Sequence, residues 1–199
     1  MNKLDYSERV ILTDVDGVVL NWEYAFHQWV KRHGLERSVE DEHRFTYDLH
    51  VQYQVERPVI KKMIREFNES AAIGFLPPHR DAIHYIRKLH EKHGFVFKAI
   101  TSLSTDPAAG QLRRENLNKL FGDTVFESVE CLDTGADKDG ALLPYKDSGY
   151  IWVEDKVENA EVGLELGLVP LIMEHAHNMH YEGDCTLVKN WQEIYELVT

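Results

Sequence analysis

Cysteine is nearly absent. Cys131 and Cys185 are the two in 199 residues, and they lack metal-ligand spacing. They read as buried thiols in a reducing compartment, which argues against a cysteine-held metal. Positive charge is also scarce. Lys plus Arg number 22 against 34 Asp plus Glu, a formal charge of −12. That balance suits neither nonspecific nucleic-acid binding nor an anionic membrane surface. No apolar run approaches the roughly 20 residues of a membrane span, and the polar, charged start has no secretory pattern. A cytoplasmic location is the default expectation. There is no Walker-type glycine loop and no Gly-x-Gly-x-x-Gly, so nucleotide kinases and dinucleotide enzymes are poorly supported. Repeats and low-complexity tracts are missing as well. The 43% hydrophobic residues and four Trp supply a real core, enough for one sizeable domain or a core with a small insert.

What the sequence does contain is organised around residues 10–20, Val-Ile-Leu-Thr-Asp-Val-Asp-Gly-Val-Val-Leu. A short apolar run bounded by a turn signal reads as a buried strand. It ends on Asp14 and Asp16, one residue apart, whose side chains share one side in extended backbone. Gly17 then allows a sharp turn or a close backbone approach. Ligands of open α/β sheets sit beyond the carboxyl ends of strands. Two carboxylates there are costly unless paired, and a hard cation such as Mg²⁺, bound through carboxylates and substrate phosphate, resolves that cost. The plainer reading is a strand followed by an Asp-Gly turn.

The rest of the chain weighs between these. Trp22, Phe26, Trp29 and Val30 recur at helical spacing up to about His33, with Gly34 ending the helix. A charged helix is expected from about Ser38 to Leu49. Val59, Ile60, Met63, Ile64 and Phe67 mark another, with Pro58 in its first turn. Residues 21–76 thus read as a helical insertion after the first strand. Pro77-Pro78 returns the chain to the main unit, residues 1–20 and 77–199. A helix carrying Ala82, Ile83, Ile86 and Leu89 precedes a second strand, Phe95 to Ile100, ending at Thr101-Ser102. Asp106 is a candidate N-cap, with Pro107 just inside the helix. A third strand is expected over residues 124–131, and at most a short helix over 138–144. Tyr150-Ile151-Trp152-Val153 is a fourth strand, closing on Glu154-Asp155. A helix, a fifth strand over 168–173, a short sixth at 186–188 and a last helix capped by Asn190 and Glu193 complete the pattern. Strands alternating with helices predict an α/β fold, a parallel sheet covered on both faces.

In a parallel sheet the polar strand ends share one edge. In order they are Asp14 and Asp16, Thr101 with Ser102, Lys138 ahead of a strand, and Glu154 with Asp155. A carboxylate cluster, a hydroxyl and an ammonium form a kit for phosphoryl transfer. A carboxylate can also act as nucleophile. No piece is specific alone; the ordered set of four at strand ends is a much stronger signal.

On these residues the chain resembles the haloacid dehalogenase (HAD) superfamily of phosphatases. Asp14-Val15-Asp16-Gly17-Val18-Val19 is similar to its first motif, Ala99-Ile100-Thr101-Ser102 to its second, Lys138 to its third and Val153-Glu154-Asp155 to its fourth. The helical insertion resembles the family's C1-type caps. The start, Leu-Thr-Asp-Val-Asp-Gly-Val, resembles the 5′-nucleotidase and deoxyribonucleotidase-like branch. The resemblance implies a Rossmann-like three-layer α/β/α sheet and a Mg²⁺-dependent phosphatase. Asp14 would be the nucleophile, forming an aspartyl-phosphate, and Asp16 the acid and then base. Asp14, the Asp16 backbone carbonyl and Asp155 would hold Mg²⁺, with Glu154 behind them. Thr101, Ser102 and Lys138 would bind phosphate. The implied partner is a small phosphorylated metabolite or nucleotide. After the second motif no arginine is evident, and Ser102-Leu103-Ser104 offers neutral donors only.

Other residues have plainer readings. Trp22, Phe26, Phe45 and Tyr47 read mainly as packing, while Tyr24, off the main stripe, is the substrate-contact candidate. His175, His177 and His180 read as loop polarity rather than a zinc site. The acid-rich stretch 36–42 reads as a solvated helix face. Competing functions are a non-nucleotide phosphatase, for a sugar or other metabolite, and a phospho-acceptor or binding-only domain.

Overall fold

The computed structural model describes residues 4, 6–38 and 46–199. Its centre is a parallel sheet of six strands: β1 (Val10–Thr13), β2 (Val96–Ser102), β3 (Phe126–Leu132), β4 (Ile151–Glu154), β5 (Val169–Met173) and β6 (Thr186–Val188). The spatial order is β3-β2-β1-β4-β5-β6. The chain winds outward from β1 through β2 to β3, then returns to β4 on the other side of β1. That reversal leaves a crevice at the carboxyl ends of β1 and β4.

The central strands β1, β4 and β5 are buried on both faces, as interior parallel strands are, while the edge strand β3 is partly exposed. Ile11 and Leu12 are both 0% exposed yet belong to separate apolar clusters. Ile11 packs with Phe97, Ile151 and Val153; Leu12 packs with Ile100, Trp152 and Leu142. Alternation along each strand thus feeds two helical layers. Those layers are built from α4 (Ala82–His93), α5 (Pro107–Phe121), the short α6 (Asp139–Leu142), α7 (Val157–Glu165) and α8 (Trp191–Val198). Asp106 caps α5 by accepting from Ala108 N at 2.8 Å, ahead of Pro107. At α8 Asn190 accepts from Glu193 N at 3.0 Å, while the Glu193 carboxylate reaches Lys189 N at 2.8 Å, one residue before the cap.

Between β1 and α4 the described residues form α1 (Trp22–Arg32), α2 (Leu49–Gln52), α3 (Arg57–Asn68) and a 3₁₀ turn, Ala71–Phe75, and no strand. The expected helix from Ser38 to Leu49 lies mostly outside the described residues, as do Phe45 and most of the acidic stretch. Its described residues before Leu49 are not helical: Ser38 N donates to Gln52 O at 2.8 Å, and Asp48 is the extended N-cap of α2, which begins at Leu49. The α1 aromatics pack as their spacing predicts. Phe26 stacks on Trp22 at 4.7 Å between centroids, and Phe67 meets it edge-on at 5.4 Å.

Two backbone bonds fasten the root of this helical segment. Asn21 N donates to Pro77 O, and His79 N to Val19 O, each at 2.8 Å. Asn68 links further inward, accepting from Trp22 Nε1 at 2.9 Å and donating to Leu103 O at 2.8 Å. Among the described residues no helix is long and apolar enough to cross a membrane. Both cysteines are free thiols, Cys185 buried and Cys131 half-buried.

The β4–α7 packing that carries the site is tight. Trp152 is 0% exposed, and a Cβ on Gly163 would lie 2.5 Å from its Cδ1. Gly163→Ala should therefore lower stability by about 1–3 kcal/mol through overpacking. That exceeds the helix-propensity gain of up to about 1 kcal/mol. Thermal unfolding should show a drop of a few degrees; an unchanged or raised midpoint would mean the indole can shift aside freely.

Candidate active site

Asp14 follows β1 directly and still pairs with the sheet, its N–H donating to Val153 O of β4 at 2.8 Å. The chain then closes on itself: Val19 N and Leu20 N both donate to Val15 O, at 2.9 and 2.8 Å. Val15, Val18, Val19 and Leu20 are each 0% exposed, so the turn is fixed by its own apolar side chains. Trp191 Nε1 adds a bond to Val18 O at 2.9 Å, and Asp81 caps the start of α8 behind it. Gly17 has φ +80°, and a Cβ there would meet the Asp155 carboxylate at 2.6 Å. Only glycine lets this turn and that acid lie together.

Asp14, Glu154 and Asp155 converge at the crevice, with a carboxylate oxygen from each lying within 4.8 Å of the others. Lys138, at the start of α6 and 2% exposed, places its ammonium 2.9 Å from Asp14 Oδ1 and 2.6 Å from Glu154 Oε2. One cation thus faces three acids. Burial, with repulsion from Glu154 and Asp16, pushes the Asp14 carboxyl up to about 7 against the pull of Lys138. Burial and then Asp14 push Asp155 up to about 7 as well. Glu154 is also raised, chiefly by burial. Burial opposes the Lys138 charge, but Asp14 and Glu154 outweigh it and hold the ammonium above its ordinary range.

The three acids are not equivalent. Glu154 Oε1 accepts from Asp155 N at 3.0 Å and Lys156 N at 3.1 Å. Its Oε2 accepts from Lys138 and, at 3.2 Å, from Asn159 Nδ2. With both oxygens engaged twice, Glu154 holds Lys138 and the β4–α7 turn in place. Asp14 and Asp155 are left short of positive charge. A hard divalent cation fits that donor set, since oxygen ligands and an uncompensated buried charge are what such ions bind.

Thr101, at the end of β2, is 0% exposed and its hydroxyl has no partner among the described residues. A buried orphan hydroxyl at a strand end is poised for an anion. The Ser102 hydroxyl instead donates to Ala136 O at 2.7 Å, so this side chain is committed to the loop after β3. Lys146 is exposed, and Lys156 reaches Asp137 at 3.5 Å on the outer side of the turn. Tyr24, on α1, is 55% exposed.

Several residues at the site escaped the sequence reading. The expectation of neutral donors only after β2 is corrected by Arg113 of α5. Its NH1 and NH2 donate to the two oxygens of Asp16 at 2.5 and 3.0 Å. The histidine loop is more than polar decoration. His175 Nε2 bonds Gly17 O at 2.8 Å and lies 4.0 Å from Asp155 Oδ2, and His177 bonds Asp155 O at 3.2 Å. Asn178 holds the same Asp155 carbonyl at 2.7 Å. Above this loop Tyr47 sets its ring edge-on to His177, centroids 4.9 Å apart. Burial and the charges of Asp155, Glu154 and Asp14 hold its phenol above the usual range.

No family model matches the chain. An uncharacterized 32.4 kDa protein in the Gp30-rIII intergenic region of Enterobacteria phage T4 is 28% identical over 167 residues, 81% of this chain. The match spans 59% of that relative's length. Among solved structures, a haloacid dehalogenase-like family hydrolase from Streptococcus pneumoniae aligns with a TM-score of 0.64 at 15% identity, covering 94% of this chain and 96% of that one. A predicted phosphatase from Clostridium acetobutylicum aligns at 0.63 and 13% identity, over 96% and 97% of the two chains. A HAD family hydrolase from Deinococcus radiodurans, with bound phosphate and sodium, aligns at 0.60 and 18% identity, over 98% and 99%. The chain therefore has the haloacid dehalogenase-like α/β fold.

His79 gives a pH test of this region. It is 6% exposed, neither ring nitrogen has a partner among the described residues, and its ring lies 5.1 Å from that of His175. Burial, then His175 and Arg80, lower its pKa from 6.5 to about 3. The folded protein keeps it neutral where the unfolded chain takes a proton. Its contribution is thus intact above about pH 6.5 and is lost as pH falls. At pH 5 the loss should be about 2 kcal/mol. Denaturant titrations of wild type and His79→Gln at pH 7.5 and 5 should show the gap moving by that amount in the variant's favour. A gap independent of pH would mean His79 is not a buried neutral imidazole.

Proposed function

We propose that this protein is a metal-dependent phosphatase that hydrolyses a small phosphate monoester through a covalent aspartyl-phosphate. The observation that carries the reading is the meeting of Asp14, Asp155 and Lys138 in one crevice, beside the orphan Thr101 hydroxyl. Asp14 supplies the nucleophilic oxygen. As its bond to phosphorus forms, the ester P–O bond breaks and Asp16 gives a proton to the departing oxygen. Asp16 then takes a proton from water, whose oxygen bonds phosphorus as the acyl-phosphate bond breaks. Thr101 and Lys138 donate to the phosphoryl oxygens, and Ser102 contributes through its backbone rather than its hydroxyl. Asp14, the Asp16 backbone carbonyl and Asp155 would hold Mg²⁺, which when bound neutralises charge on the phosphoryl group and its surrounding carboxylates.

Residues 21–76 form the cap over a core of residues 1–20 and 77–199. Tyr47 and Tyr24 are similarly exposed, 59% and 55%, but the Tyr47 ring lies edge-on to His177, which bonds the Asp155 carbonyl, and this makes Tyr47 the better candidate for meeting the leaving group. Nucleoside and deoxynucleoside 5′-monophosphates are the first substrates to try, with sugar phosphates the alternative class. The intracellular default from the sequence fits such substrates. A phospho-acceptor domain is the weaker reading, because β2 ends on Thr101 and Ser102 and carries no lone aspartate.

The test is release of p-nitrophenol from p-nitrophenyl phosphate with Mg²⁺, followed by a panel of deoxynucleoside monophosphates and sugar phosphates. Asp14→Asn should lower turnover by at least about a thousandfold, and a chelator should abolish it reversibly. Turnover that survives Asp14→Asn would remove the nucleophile, and indifference to chelation would remove the metal.

A further inference from the structure

Arg113 is a fully buried charge that the phosphatase roles above leave unused. It lies within α5, 0% exposed, and its Nε has no partner among the described residues. Both terminal nitrogens close on Asp16, a fork-to-fork pair with an acid whose side chain is 22% exposed. This is the geometry that arginine matches and lysine cannot. The guanidinium therefore fixes the plane of the Asp16 carboxylate, not only its charge. The helix that carries it is itself anchored. Asn116 donates to Leu76 O at 3.0 Å where the insertion returns to the sheet, and Leu112 packs 3.1 Å from where a Cβ on Gly74 would stand. Asp14 is held by a different cation, Lys138, so the two aspartates of one turn are oriented independently.

We propose that Arg113 is the positioning residue for Asp16, holding its carboxylate in the orientation from which it passes a proton to the leaving oxygen and later takes one from water. The inference rests on the phosphatase reading. Arg113 acts through Asp16 and does not bind the phosphoryl group, which Thr101 and Lys138 hold. Its loss should therefore slow proton transfer while leaving substrate affinity intact.

The experiment compares wild type, Arg113→Met, Arg113→Lys, Asp16→Asn and the Arg113→Met/Asp16→Asn double variant, with Mg²⁺, on two esters. p-Nitrophenyl phosphate leaves as a stable anion and needs little protonation; glycerol 2-phosphate leaves as an alkoxide and needs a proton. Arg113→Met should lower kcat on glycerol phosphate by about 10- to 100-fold, with KM within about threefold of wild type. On the aryl ester it should leave a stoichiometric burst of nitrophenol followed by slow turnover, because only the second step then waits on Asp16. The double variant should be no worse than Asp16→Asn, since a residue acting only through another adds nothing once its partner is gone. Arg113→Lys, charged but without the fork, should fall between wild type and Arg113→Met. If Arg113→Met does not fold by circular dichroism, the same pattern is read from Arg113→Lys.

A rise in KM with kcat retained, a nitrophenol burst that is absent or slowed as much as turnover on glycerol phosphate, or a double variant about tenfold worse than Asp16→Asn would overturn the proposal and leave the phosphatase reading standing. A wild-type protein inactive on both esters and on the substrate panel would overturn both.

Discussion

Negative charge in excess, buried where strands β1 and β4 end, is the constraint on which this molecule turns. Among the described residues, Asp14, Glu154 and Asp155 share a crevice with a single ammonium, Lys138. In a low-dielectric interior each uncompensated carboxylate costs several kcal/mol or shifts its pKa instead. The shift is what the structure shows, with Asp14 and Asp155 both pushed up to about 7. A fold optimised for stability alone would not place them there. The arrangement makes sense when further positive charge arrives as part of function.

The sheet order produces this collision. Because the chain doubles back at β1, strands distant in sequence become neighbours, and Asp14 N pairs with Val153 O of β4. Glu154 and Asp155 then have no choice but to stand beside Asp14. Gly17 removes the one atom that would have kept Asp155 away. Glu154 is the element that makes the cluster tolerable. Its four accepted bonds lock Lys138, Asn159 and two backbone amides into one network. Buried polar networks are stable when every member is satisfied, and the Thr101 hydroxyl at the end of β2 is a buried group left without a partner among the described residues.

This division explains what the sequence could disclose. The strands were legible because their apolar runs are short and end abruptly on polar residues. Asp14, Thr101 and Glu154-Asp155 were therefore found at strand ends without reference to contacts. Lys138 was found from the order of the set. Arg113 was not. It lies mid-helix on α5, where an arginine ordinarily reads as solvated, and nothing local marks that this face meets Asp16. His175 and His177 were passed over for a related reason. Loop residues carry no periodicity, so only the folded path of the β5–β6 connection turns them onto Gly17 and Asp155. Tyr47 lies in a stretch whose helical reading does not hold at its described end, and its position over the site depends on how the insertion folds back.

The helical insertion and the charge cluster are one physical problem rather than two. Its apolar residues, Phe26, Tyr53, Ile60 and Phe67, belong to the same buried cluster as Ile11 and Val153 of the sheet. It therefore packs as a continuation of the core, not as a separate unit on a stalk. Tyr47 meets His177 across the crevice, and Asn68 ties α3 to the loop after β2. Burial is the largest cause of the raised pKa values of Asp14 and Asp155, and it strengthens every charge interaction inside. Removing the cover would let water screen Asp14 and Asp155 and return them toward ordinary carboxylates. The reactivity proposed for Asp14 thus depends on residues far from it in sequence, through the dielectric they create rather than through any bond they make.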